Sequence, residues 1–205
     1  QNELYRNDGP GEDGAWIFTD VSAQSGFENS LYGMGIAAAD VNHDGYMDYF
    51  MTSIGRPLLL TGNADAKFDD ATELYGLSVP FADLGYQVTW GAVFEDFNGD
   101  GYLDLFAAGG HIPAISYLGN QNDMPNMLWE GTKTPPWTVD PPGWKIDGPD
   151  EGSGRSLAID DFNNDGLPDI ALGHASGQIS LFVNESQISQ PLRFRLNPKY
   201  TGPRG

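Results

Sequence analysis

The chain has 205 residues, enough for one large domain or two small ones with a real core, and it sets 10 Lys and Arg against 29 Asp and Glu, a formal charge of −19. That balance opposes nucleic acid as a partner, because phosphate binding needs clustered cations, while 40% hydrophobic and 12% aromatic residues oppose acidic disorder. With no cysteine, disulfides, thiolate zinc sites and cysteine nucleophiles are excluded, and no apolar run reaches the length of a membrane span.

Gly (27) and Pro (14) punctuate short apolar runs throughout, an all-β signature. In chain order, "NELYRND" predicts a strand and "WIFTDVSAQSGF" follows it. "GMGIAAAD" then leads into "DVNHDGYMD" (Asp40 to Asp48), "YMDYFMTS" leads out as a strand, and "PLLLTGN" and "KFDDATELYGL" come next. The cycle restarts with "TWGAVFED", "DFNGDGYLD" (Asp96 to Asp104), "YLDLFAAGG", "NMLWEGT" and "WTVDPPGWKI", lengthened by the insert "PAISYLGNQNDMPN". It runs a third time through "GRSLAIDD", "DFNNDGLPD" (Asp161 to Asp169), "LPDIALGHA" and "ISLFVNE".

All three turns read DxNxDGxxD, starting at Asp40, Asp96 and Asp161, so the repeat spacing is 56 and 65 residues. Each unit holds about four short strands, the content of a propeller blade. The predicted fold is all-β: blades of about four antiparallel strands each, in three repeats over residues 1–57, 58–126 and 127–190, plus one extra strand and a tail over 191–205. A single small sheet cannot cover both its faces, so neighbouring units must stack. Propellers close with about four to eight blades. Three repeats therefore read as part of a longer propeller or as a unit that borrows a partner, with an open stack of three sheets as the plainer alternative.

Calcium takes about six to eight oxygen ligands from carboxylates, amides, backbone carbonyls and water, and each turn can supply such a set. Candidate ligands are Asp40, Asn42, Asp44 and Asp48 with the Tyr46 carbonyl; Asp96, Asn98, Asp100 and Asp104 with the Tyr102 carbonyl; and Asp161, Asn163, Asp165 and Asp169 with the Leu167 carbonyl. Gly45, Gly101 and Gly166 sit at position 6, where a sharp turn calls for positive φ. The residues at positions 2, 4 and 8 vary, as expected of side chains outside the ligand set, and His43 is a poor candidate. Without a cation the three carboxylates repel by a few kcal/mol per pair at an effective dielectric of about 20. Three calcium ions would bring the formal charge from −19 to about −13. An EF-hand is ruled out, since position 12 is Met51, Ala107 or Leu172 rather than Glu and the flanks are β-like. Magnesium suits an all-protein oxygen cage less well. For one copy a plain hairpin turn explains Asn-Gly and Asp-Gly equally well; three copies in register favour the metal.

On these turns the chain resembles the FG-GAP or VCBS-type repeat family, the calcium-loop β-propellers also found in integrin α-subunit heads. More narrowly it is similar to ASPIC/UnbV-type secreted proteins, in which a strand like "NELYRND" precedes a segment like "WIFTDVSAQSGF". There "PLRFRLNPKYTGPRG" looks like the opening of the segment that follows the propeller. The resemblance implies a piece of a larger propeller, exported to the extracellular space, cell surface or periplasm, that binds a protein or glycan at a cell surface.

The function expected is therefore a non-catalytic, calcium-binding adhesion, scaffold or recognition module. A second reading makes the chain a subunit of an extracellular filament, assembled head-to-tail because "ISLFVNE" and "NELYRND" occupy equivalent blade positions. A third is a calcium-dependent polysaccharide-active enzyme or a lectin. For the enzyme no catalytic constellation stands out: "GHASG" lacks nucleophile-elbow spacing, and His111 and His174 are general-base candidates whose plainer reading is turn packing. For the lectin, Trp16, Trp90, Trp129, Trp137 and Trp144 can stack on sugars if exposed, although blade cores also consume aromatics. "NES" at Asn184 fits a glycosylation sequon, Thr132 and Thr134 are candidate O-glycan sites, and Arg193, Arg195, Lys199 and Arg204 concentrate basic charge in the tail.

Overall fold

A computed structural model describes residues 2–78, 88–110, 124–140, 145–147, 153–186 and 193–196. Over these the chain is almost entirely β. A two-stranded ribbon, β1 (Tyr5–Pro10) with β2 (Trp16–Asp20), precedes a single helical turn, α1 (Ser22–Ser25). Three larger sheets follow. The first orders β3 (Gly33–Ala39), β4 (Asp48–Ser53), β5 (Leu58–Gly62) and β6 (Phe68–Asp70) as a simple antiparallel meander. The second does the same with β7 (Thr89–Glu95), β8 (Asp104–Gly109), β9 (Met127–Glu130) and β10 (Thr138–Val139).

The third sheet runs β12 (Gly154–Asp160), β13 (Asp169–His174), β14 (Ile179–Asn184) and β15 (Arg193–Leu196), and β11 (Lys145–Asp147) adds in parallel beyond β15. The stretch expected to be a tail thus contains a strand, Arg193–Leu196. The "RFRL" segment pairs with β14 from Phe182↔Leu196 to Asn184↔Phe194, the register that β6 keeps with β5 from Leu60↔Asp70 to Gly62↔Phe68. The rest of the tail, Lys199 and Arg204 included, lies outside the described residues, as does most of the insert from Pro113 to Asn126.

These blade-like sheets are out of phase with the sequence units. Each DxNxDGxxD turn joins the first and second strands of one sheet, so the first sheet spans residues 33–70 while the repeat unit runs over 1–57. "ISLFVNE" forms β14, which has β13 on one side and β15 on the other.

The sheets stack through three successive cores, and the period-2 alternation of the strands decides which side chain enters which core. Phe50 and Leu59 point into the core shared with the second sheet, where they meet Phe94, Leu105, Trp129 and Trp137. Their neighbours Met51, Leu58 and Leu60 point the other way, toward Phe27 beneath the ribbon. In the second sheet Leu105 and Ala107 face the first sheet, while Phe106, Ala108 and Leu128 face Ile170, Leu172 and Phe182 of the third. Strands covered on both faces need near-continuous apolar runs, which is why "PLLL" and "DLFAA" lack polar alternation. Gly35 lets the sheets approach: a Cβ there would collide with the Trp90 carbonyl of the next innermost strand.

Candidate metal centre

The three turns share one hydrogen-bond plan. In the first, Asp40 Oδ1 accepts the Asp44 N–H (3.0 Å) and Asp40 Oδ2 the Gly45 N–H (2.8 Å). Asn42 Oδ1 also accepts from Asp44 N–H (2.9 Å), and Asp44 Oδ1 accepts from Tyr46 N–H (2.9 Å). The second turn repeats these bonds with Asp96, Asn98 and Asp100, and the third with Asp161, Asn163 and Asp165, all between 2.8 and 3.0 Å. Backbone amides thereby fix the carboxylates at positions 1 and 5 and the amide at position 3, leaving lone pairs on each oxygen.

Two positions carry the bend. Gly45, Gly101 and Gly166 at position 6 have φ of 89°, 90° and 89°, and position 4 is left-handed in every copy: His43 at 58°, Gly99 at 72° and Asn164 at 62°. Position 4 is thus not free to vary at will, since among ordinary residues Asn, Asp, His and Gly tolerate that conformation best.

The ninth-position aspartates have a second task that the spacing did not reveal. Asp48, Asp104 and Asp169 are wholly buried. Asp48 Oδ2 accepts the Val41 N–H (2.9 Å) at the start of its own turn, and Oδ1 accepts the Gly62 N–H (2.8 Å) at the end of the third strand. Asp104 makes the same pair with Phe97 and Gly131 (3.1 and 2.8 Å), and Asp169 with Phe162 and Asn184 (3.1 and 2.8 Å). Each therefore ties its turn to the neighbouring strand. The donor site is tight: a Cβ at Gly62 would collide with the Met47 carbonyl, and one at Gly131 with that of Leu103. In the third copy Asn184 takes the place of glycine and its Nδ2 donates to the matching Pro168 carbonyl (3.2 Å) and to Phe97 O of the second turn (2.9 Å). The sequence held a signal for these residues, because Gly62 and Asn184 end the third strand of their sheets and Gly131 directly follows its own.

Burial pushes all three ninth-position carboxyls upward. The two backbone amides offset part of that, and the charges of the first- and fifth-position aspartates raise it again. Asp104, in the middle sheet, is lifted to about 8.

Among the described residues no three His, Asp or Glu side chains converge on one ready-made point; the donors are strung round each turn. Their chemistry nonetheless fits a hard cation, being entirely oxygen, with the first- and fifth-position carboxylates close enough to raise the ninth.

The turns also touch one another. The His43 ring stacks on Tyr102 of the second turn, with centroids 5.7 Å apart and planes 13° from parallel. Asn184, wholly buried, bridges the second turn to the third, so the "NES" amide is occupied in the folded chain. His174 is buried and its Nε2 lies 2.8 Å from Ser180 Oγ, a packing position between adjacent strands; His111 lies outside the described residues. Trp129 and Trp137 are core residues, and Trp90 is half-buried with the Arg155 guanidinium 3.9 Å from its ring centroid. Trp16 is exposed, and Trp144 lies outside the described residues.

Among proteins of known name, the chain is similar to Cartilage acidic protein 1 of Xenopus tropicalis, at 26% identity over 179 residues, 84% of this chain. It spans 25% of that relative's length. The model of the FG-GAP-like repeat matches twice, over residues 40–107 and 96–172, each match opening on a DxNxDGxxD turn. With its turns, sheets and matches in agreement, the chain belongs to the FG-GAP-like repeat family.

Proposed function

We propose that the chain is a non-catalytic calcium-binding module, a run of propeller blades that works outside the cell in adhesion, scaffolding or recognition. The observation that carries this reading is the threefold recurrence of one oxygen-donor turn with one hydrogen-bond plan. In each turn the side chains at positions 1, 3 and 5 and the carbonyl at position 7 would hold the ion. The position-9 aspartate completes the set and also anchors the turn through its two backbone amides. A bound calcium supplies the positive charge that lets these crowded carboxylates stay ionised. The acidic balance and the likeness to a protein named for cartilage, a tissue rich in extracellular matrix, support the setting.

Calcium titrated onto the metal-stripped protein tests this by calorimetry and by thermal unfolding. Up to three ions should bind, and at tenfold excess over its dissociation constant each should add about 1.4 kcal/mol, roughly 4 in all. A midpoint no higher than in chelator would overturn the proposal.

A further inference from the structure

Position 4 of the turns accepts more than one residue, since His43, Gly99 and Asn164 all hold it in the left-handed region, at φ 58°, 72° and 62°. Glycine in the second turn is therefore not demanded by the backbone. What it brings is an unshielded nitrogen next to the position-3 amide. Asn98 is the one asparagine in the sequence that glycine follows; its counterparts Asn42 and Asn163 are followed by His43 and Asn164. An asparagine side chain is open to attack by the backbone nitrogen of the next residue, and attack is fastest where that residue has no Cβ to crowd it.

In the folded turn three hydrogen bonds hold this reaction off. Asn98 Oδ1 accepts the Asp100 N–H (3.0 Å) and Asn98 Nδ2 donates to Asp100 Oδ2 (3.3 Å), which fixes the amide toward Asp100. The Gly99 N–H donates to Asp96 Oδ1 (2.8 Å), so the attacking nitrogen is held as well. Asn98 is also buried, unlike Asn42 and Asn163. Gly99, Asp100 and Gly101 beside it are exposed, so water reaches the site once the turn opens.

We propose that Asn98 is a site of spontaneous deamidation, blocked while the second turn keeps these bonds and released when the turn opens. The Gly99 nitrogen bonds to Asn98 Cγ, the Cγ–Nδ2 bond breaks, and Nδ2 leaves as ammonia with the proton that Gly99 gives up. Water then opens the five-membered succinimide at either carbonyl, leaving an aspartate or an isoaspartate at position 98. Both products change the turn. Aspartate sets a fourth carboxylate beside Asp96, Asp100 and Asp104 and replaces the donor to Asp100 with a repelling oxygen. Isoaspartate adds a main-chain atom before Gly99, which shifts the Asp100 and Gly101 N–H groups away from Asp96. The conversion thus leaves a permanent record that the middle turn has opened, and it does not rest on the turn holding an ion.

The test incubates the full chain at mildly alkaline pH beside a peptide of residues 94–106, which serves as the open reference. Peptide mass spectrometry maps the gain of about one dalton that each conversion brings. In the full chain, conversion at Asn98 should run about tenfold faster than at Asn42 or Asn163, and about tenfold or more slower than in the peptide. Gly99→Asn copies the residue and conformation of Asn164 in the third turn, so the fold has a precedent for it, and it should slow conversion at Asn98 about tenfold. Equal rates at the three asparagines, undiminished conversion in Gly99→Asn, or a full chain that converts as fast as the peptide would each overturn the proposal.

Discussion

The second and third turns have nearly the same sequence, yet their ninth-position aspartates live in different surroundings. Asp104 lies in the middle sheet, with a core on either face. Asp169 lies in the last sheet and accepts the N–H of Phe162, which is 45% exposed. Both carboxyls accept two backbone N–H groups, and both are raised chiefly by burial, but only Asp104 reaches about 8. Identical local chemistry is thus tuned by what the neighbouring sheets cover. The same motif can serve as a firm anchor in one layer and a softer one in the next.

The largest expected effect follows from that contrast. Asp104→Ala strands the buried Gly131 and Phe97 amides and should cost about 3 to 5 kcal/mol, whereas Asp169→Ala, which frees the amide of the exposed Phe162 as one of its two partners, should cost about 1 to 2. Chemical denaturation of the two variants measures the gap, and equal losses would break the comparison. Next comes the donor side. Gly131→Ala drives a methyl into the Leu103 carbonyl and should cost about 3 kcal/mol, while Asn184→Ala, which loses two side-chain hydrogen bonds without a clash, should cost about 1 to 2.

Taken per pH unit, a smaller effect appears in the pH dependence. The folded Asp104 holds its proton up to about 8, whereas the unfolded group releases it near 3.8, so between those values the folded state binds more protons. The metal-free protein should therefore lose stability as pH rises through this window, with a slope approaching about 1.4 kcal/mol per pH unit from this group alone. Asp48 and Asp169, also raised, act in the same direction. Calcium favours the carboxylate, so its addition should flatten the slope and release protons in weakly buffered solution below about pH 8. A metal-free stability that climbs over the same range would contradict the burial of Asp104.

The all-β class, the blade-like strand content and the three turns were legible because they are local: glycine at position 6, small residues before each turn, apolar strands after it. What escaped was set by pairing between distant segments. The anchoring task of Asp48 stays hidden until Gly62, fourteen residues on, is seen to donate to it. "RFRL" reads as a basic tail, its strand role apparent only beside β14, whose edge it covers. The phase of the sheets against the repeat was hidden for the same reason, since sequence similarity does not say which strand opens a sheet. The ligand set itself was read from spacing, and the hydrogen-bond plan is compatible with it without filling it.

The smallest predicted effect concerns the contact between turns. His43 and Tyr102 stack at the surface, joining a left-handed position of the first turn to position 7 of the second. Replacing His43 by alanine would mix two causes, because alanine at φ 58° adds backbone strain to the loss of the ring. Asn is the cleaner substitution, since Asn164 already occupies the same position and conformation in the third turn. His43→Asn should cost about 0.5 kcal/mol or slightly more in stability, the size of an exposed ring contact. If calcium orders the second turn partly by fixing Tyr102, the same variant should weaken binding there by about twofold while leaving the third turn unchanged, because coupling of this kind extends only to groups that share a contact. Calcium titration followed by amide NMR at Gly101 and Gly166 separates the two turns, and an equal change at both would show that the stack carries no coupling of its own.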